Sequence, residues 1–171
     1  MNTEAVARKL KQYSGRGYKY TESTMISKKA KYALKALKVL AEQFGKGPVL
    51  ISYIAEKEKI PKKFLEAILL DLRNNGVLQS QKGKGGGYML RIPPGEVSFS
   101  KVLRIIDGPI APALCVSMFF YGKCDDCKDE ETCSLRTVLE RWRDANLAVL
   151  DKTTLSDLLR AENAPEIDLL S

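Results

Sequence analysis

All four cysteines of this 171-residue chain fall in one stretch, CVSMFFYGKCDDCKDEETC, as Cys115, Cys124, Cys127 and Cys133. Four thiolates meet the ligand count of a [2Fe-2S] or [4Fe-4S] cluster, and equally close a tetrahedral zinc site. Disulfide pairing, redox-reactive thiols and plain burial are the other uses of such a set. The chain has no histidine, so a mixed Cys/His ligand set is excluded and the commonest general base is missing. Neighbouring Asp125, Asp126, Asp129, Glu130 and Glu131 raise thiol pKa unless a bound cation offsets them, which disfavours bare reactive thiols. No nucleophile and base stand out as a pair, so the chain does not read as an enzyme.

Composition sets the surroundings of these thiols. No run approaches the ~20 apolar residues of a membrane span, and the opening MNTEAVARKLKQYSGRGYKYTEST lacks the apolar segment of an export signal. A cytoplasmic location is expected, with no membrane partner, and there clustered cysteines mean metal or redox chemistry more often than disulfides. The net charge of +7 is unevenly spread. Residues 25–92 carry fourteen Lys/Arg against five Asp/Glu, whereas residues 93–171 carry nine against fourteen. A basic module joined to an acidic one suits a polyphosphate partner such as nucleic acid.

The elements that carry those lysines can be read from periodicity. Ser27 to Phe44, SKKAKYALKALKVLAEQF, places Ala30, Ala33, Leu34, Leu37, Leu40, Ala41 and Phe44 on one face of a helix of about five turns. Ser27 is the expected N-cap and Gly45 the stop. A short helix follows at ISYIAEKEKI, then a second at PKKFLEAILLDLRNNG, opening with Pro61 in its first turn and ending at Gly76. This is the layout of a helix-turn-helix. VLQSQKGKGGGYMLRI then predicts a β-hairpin whose tip holds Lys82 and Lys84. Gly83 and Gly85 fit the first two places of a dinucleotide glycine motif, but Tyr88 occupies the last and a strand follows instead of a helix, so a phosphate loop is discarded. The expected fold is mainly α with a small β-hairpin wing: a winged helix-turn-helix plus a long helix.

The segments SKKAKYALKAL, ISYIAEKEKIPKKFLEAILLDLRNNGVLQSQKGKGGGYML, VLRIIDGP and the cysteine loop together resemble the Rrf-two family of winged-helix transcription regulators, of the IscR/NsrR type. The resemblance runs from about Met25 to Leu159. It implies a homodimer on a palindromic double-stranded DNA operator, with the third helix in the major groove and the wing in the minor groove. The matching recognition positions are Lys62, Lys63, Phe64 and Glu66, and the wing positions run from Lys82 to Tyr88; the residues expected to bind DNA are Lys28, Lys62, Lys63 and Glu66, with Lys82, Lys84, Gly85, Gly86 and Tyr88 in the wing. Phe64 is expected to pack toward the core, its alternative being contact with a thymine methyl. The resemblance also implies an iron-sulfur cluster on three loop cysteines, often ending in C-x5-C. Here five residues separate Cys127 from Cys133, and CDDC adds a fourth cysteine to that pattern. An iron-sulfur cluster is the expected cofactor; zinc or none is the alternative.

The chain is accordingly expected to divide into an extension at 1–24, disordered or added for expression, a DNA-binding domain at 25–92, a connecting helix and sensor loop at 93–133, and a dimerisation helix with its tail at 134–171. The dimer stripe is Leu135, Val138, Leu139, Trp142, Ala145 and Val149. Cluster binding or loss, by reshaping the loop just before that helix, is expected to alter the spacing of two recognition helices. A non-DNA interaction module is the rival reading.

Overall fold

The computed structural model describes residues 26–127 and 129–163; the extension expected at 1–24 lies outside them. Helix α1 (Lys28–Glu42) starts where its cap predicts, with the Ser27 hydroxyl accepting the Ala30 N–H at 3.0 Å. It ends earlier than its periodicity suggests, at Glu42. Phe44 is thrown into solvent instead of completing the stripe, and Gly45 takes a positive φ beyond it. Ala36 and Val39 are buried as well, because α1 is packed on more than one side.

Helix α2 (Ile51–Glu58) and helix α3 (Lys62–Asn74) form the expected pair around a turn in which Lys59 adopts the left-handed conformation. Pro61 stands at the N-cap rather than inside the first turn. Leu65, Ile68, Leu69 and Leu72 are fully buried, whereas Phe64 is 42% exposed. The expectation that Phe64 enters the core is therefore corrected. One residue step turns the helix by about 100°, and Leu65 holds the inward position of this first turn.

Strands β1 (Leu78–Gln81) and β2 (Gly87–Leu90) pair antiparallel, Leu78 opposite Leu90 and Gln81 opposite Gly87. Val49 adds a third rung, exchanging backbone hydrogen bonds with Tyr88 at 2.8 and 2.9 Å. The wing is thus fastened at its root to the segment that leads into α2.

A 3-10 turn at Pro94–Glu96 leads to α4 (Phe99–Ile106), which packs on α1 and α3. A second turn, Leu114–Val116, opens the cysteine loop, which ends at α5 (Ser134–Leu150). The chain then returns as α6 (Leu155–Asn163), packed on α1. Leu155 is fully buried in the main core, and backbone bonds from Phe99 to Thr153 (2.8 Å) and from Leu155 to Val97 (3.0 Å) stitch the return. The packing therefore groups α4 and α6 with the helix-turn-helix body. Helix α5 stands apart: Leu147 is its one buried residue.

The wing root generates a steric test. A Cβ on Gly87 would lie 2.2 Å from the Val49 carbonyl oxygen, whereas one on Gly95 meets nothing nearer than 3.5 Å. Gly87→Ala is expected to cost about 1–3 kcal/mol in urea or thermal unfolding, with Gly95→Ala close to neutral.

Candidate nucleic-acid interface and cysteine loop

The first turns of α3 expose Lys62, Lys63 and Glu66 while the opposite face fills the core, so the amphipathic pattern itself presents them. Among the described residues, no ion pair engages Lys62, Lys63, Lys82 or Lys84, in contrast to Lys29 on Asp71 (2.7 Å) and Lys35 on Glu58 (3.3 Å). Unneutralised ammonium groups of this kind are what a phosphate backbone attracts. Lys28 is exposed, and its ammonium lies 5.7 Å from the centroid of the Tyr32 ring. Tyr32 in turn meets Phe64 edge-on, with centroids 5.8 Å apart and planes at 82°. The structure thereby joins Lys28 on α1 to the first turn of α3 through Tyr32, a residue not singled out from the sequence. Its place one turn after Lys28 was the available signal.

In the wing, Lys82, Lys84 and Gly85 lie in the exposed tip. Gly86 is buried, where a Cβ would sit 2.3 Å from the Gln81 carbonyl, and its N–H donates to Gly83 at 2.9 Å. Tyr88 is half-buried against the core. Gly86 and Tyr88 thus shape the wing from within, whereas the two lysines and Gly85 form its surface.

The cysteine loop is irregular and is held by a few polar contacts. Arg143 of α5 donates to the Val116 carbonyl at 2.7 Å. Arg136, also on α5, pairs with Glu130 at 2.6 Å and Glu140 at 3.1 Å, and the Tyr121 hydroxyl donates to Glu130 at 2.9 Å. The Tyr121 hydrogen bond, with help from Arg136, holds the Glu130 carboxyl below the usual carboxylate range. Tyr121, Glu130, Arg136, Glu140 and Cys133 line an open polar cleft of about 780 Å³.

The four thiols are unpaired and half-buried. Cys124 and Cys127 flank a turn closed by a 3.3 Å backbone bond, and Cys133 occupies the N-cap position of α5. The Cys127 thiol donates to Cys133, which with burial and the nearby Cys124 pushes Cys127 up to about 11. Cys133 moves the other way: the Arg136 backbone N–H in the first turn of α5 stabilises its thiolate, and Cys127 assists. Cys115, in the 3-10 turn, acts on Tyr121 instead. Three thiols therefore interact, and among the described residues no set of three Cys, Asp or Glu is already gathered as a metal site. The donor chemistry fits a thiolate-bound group, but all four sulfurs meet only if the loop closes further.

Along α5, Leu135, Val138, Ala145, Val149 and Trp142 are exposed and Leu139 is half-buried, an apolar stripe that the described residues leave largely in solvent. Among the described residues, no helix is long and apolar enough to cross a membrane.

The family model Rrf2, described as an iron-dependent transcriptional regulator, matches residues 26–161. An rrf2-like HTH-type transcriptional regulator of Rhodobacter capsulatus is 46% identical over 142 residues, which cover 81% of this chain and 95% of that protein. The HTH-type transcriptional regulator CymR of Bacillus subtilis is 35% identical, covering 78% of this chain and 88% of its own. The solved structure of CymR, the global cysteine regulator of B. subtilis, superposes with a TM-score of 0.66 at 33% identity over 82% of this chain and 98% of that one. IscR of T. potens does so with 0.65 at 26% identity, over 85% and 95%.

The opposed shifts of two neighbouring thiols predict site-selective chemistry in the reduced, metal-free protein. Cys133 is expected to alkylate faster than Cys127 at neutral pH, since a lowered pKa gives more thiolate there. Cys127 is expected to catch up only as pH rises toward 11. Peptide mapping after timed iodoacetamide treatment at several pH values reads both; equal rates at neutral pH would contradict the assignment.

Proposed function

The chain belongs to the Rrf2 family of transcriptional regulators, DNA-binding proteins rather than enzymes, and from that premise we propose that it binds a palindromic operator as a homodimer whose affinity follows the state of its cysteine loop. The observation that carries the DNA contact is the set of unneutralised lysines on the first turn of α3 and on the wing tip. Lys62 and Lys63 engage phosphate or guanine in the major groove, Glu66 accepts from cytosine N4, and Lys28 steadies the same end of α3 on the backbone. Lys82 and Lys84 follow the adjacent minor groove, on a tip that Gly85, Gly86 and Tyr88 support.

The stripe on α5 supports dimerisation, because Trp142, Val138 and Leu135 are large apolar groups that stay exposed among the described residues. Two copies joined through α5 hold two copies of α3 at a fixed separation, which a palindrome must match.

Cys115, Cys124, Cys127 and Cys133 are the residues that would hold an iron-sulfur cluster. Such a cluster would supply a cross-link of the loop that is sensitive to oxidant and iron supply. The same thiolates fit zinc, which would make a closed structural site without redox response. The chain's own residues transmit the change. Cys133 occupies the N-cap position of α5, and Arg136 and Arg143 tie the helix to Glu130 and Val116, so drawing the loop together reorients the start of α5. Iron, sulfide and zinc content with the visible spectrum of protein purified without oxygen tests the cofactor: iron and sulfide near stoichiometry support the cluster, and zinc alone overturns it.

Salt dependence tests the DNA face. Each of Lys62→Ala and Lys82→Ala is expected to weaken operator binding and to flatten the log affinity against log salt slope by about 1. Glu66→Ala is expected to leave the slope unchanged and to relax preference at one base pair. Slopes unaltered by the lysine variants in fluorescence anisotropy titrations would contradict the interface.

A further inference from the structure

Phe64 is the anomaly of the DNA-facing turn. It is a large aromatic side chain, 42% exposed, in the first turn of α3 among Lys62, Lys63 and Glu66. A lone exposed aromatic is ordinary on a protein surface. This one is braced. The Tyr32 ring, itself packed against the main core, meets it edge-on at 5.8 Å, and the Lys28 ammonium lies 5.7 Å from the Tyr32 ring centroid. The edge-on geometry is the favoured one for aromatic pairs. A ring fixed in this way loses little freedom when it docks.

The chemistry of the ring limits what it can recognise. Phenylalanine has no donor or acceptor, so it cannot bond a phosphate oxygen or the polar edge of a base. The apolar group on the floor of the major groove is the C5 methyl of thymine. We infer that Phe64, held by Tyr32 and Lys28, reads a thymine methyl in each operator half-site. The inference rests on the proposal that α3 enters the major groove, and it adds a specificity determinant that the polar residues of the turn do not supply. Tyr32 is then a positioning residue: it touches Phe64 and not the base.

Deoxyuridine isolates the methyl, because it pairs like thymine and lacks only that group. The full-length protein first selects its operator from random duplexes. Each thymine of one half-site is then replaced singly by deoxyuridine, and binding is compared for wild type, Phe64→Ala, Tyr32→Phe and Tyr32→Ala. Wild type is expected to lose roughly fourfold in affinity at one thymine, the worth of one buried methyl. Phe64→Ala should be indifferent to the methyl at that position while keeping its response to the other base pairs, with a melting point close to wild type because the side chain is exposed. Tyr32→Phe should keep the discrimination, since the ring and not the hydroxyl makes the edge contact, and Tyr32→Ala should reduce it.

Methyl sensitivity that is absent in wild type, or that survives in Phe64→Ala, overturns the role of Phe64 while leaving the DNA interface standing. Failure of wild type to select any duplex overturns the interface itself and this inference with it.

Discussion

The junction where the chain returns after α5 governs the rest of the architecture. Leu155 is sunk completely into the helix-turn-helix core, and the segments 97–99 and 153–155 bond backbone to backbone on either side of it. That fixes the C-terminal end of α5 to the same body that carries α3 and the wing. The first turn is fixed to the cysteine loop by Arg136 on Glu130, and the middle of the helix by Arg143 on Val116. Among the described residues, Leu135, Val138 and Trp142 of α5 remain exposed. The dimer contact and the coupling of loop to recognition helix proposed above both rest on this helix.

Electrostatics divides the same body. The basic residues of 25–92 serve the helix-turn-helix and wing, while Asp125, Asp126, Asp129, Glu130 and Glu131 cluster in the loop. An acidic loop is repelled by DNA, so it favours approach of the duplex through the lysine-bearing elements. The carboxylates are also partly engaged. Asp129 accepts from the Glu131 N–H and the Thr132 hydroxyl, and Glu130 is shared by Tyr121 and Arg136. The loop is therefore shaped by its own charges, and its thiols sit in a framework that already distinguishes Cys133 from Cys127.

Much of this was legible in the chain because the signals are local. Ser27 as a cap, the Ile68, Leu69 and Leu72 face of α3, and the hairpin around Lys82 to Gly86 all follow from periodicity and turn chemistry within a few residues. What escaped depends on contacts distant in sequence. Phe64 and Leu65 are equally apolar, and only the direction from which α1 packs decides which faces inward. The partnership of Tyr32 with Phe64 and the docking of Leu155 beside Val97 are of the same kind. In the cysteine loop the spacing was readable, but irregular backbone carries no period, so which sulfurs meet could not be deduced from C-x8-C-x2-C-x5-C.

Under the function proposed above, the condition of the cysteine loop sets the grip on DNA through α5. Its most direct test is operator affinity of the anaerobically purified protein, measured on one fixed duplex before and after the bound group is removed from the loop. Affinity is expected to change tenfold or more, about 1.4 kcal/mol, with the oligomeric state unchanged. Equal affinity and equal sequence preference in the two forms would contradict it.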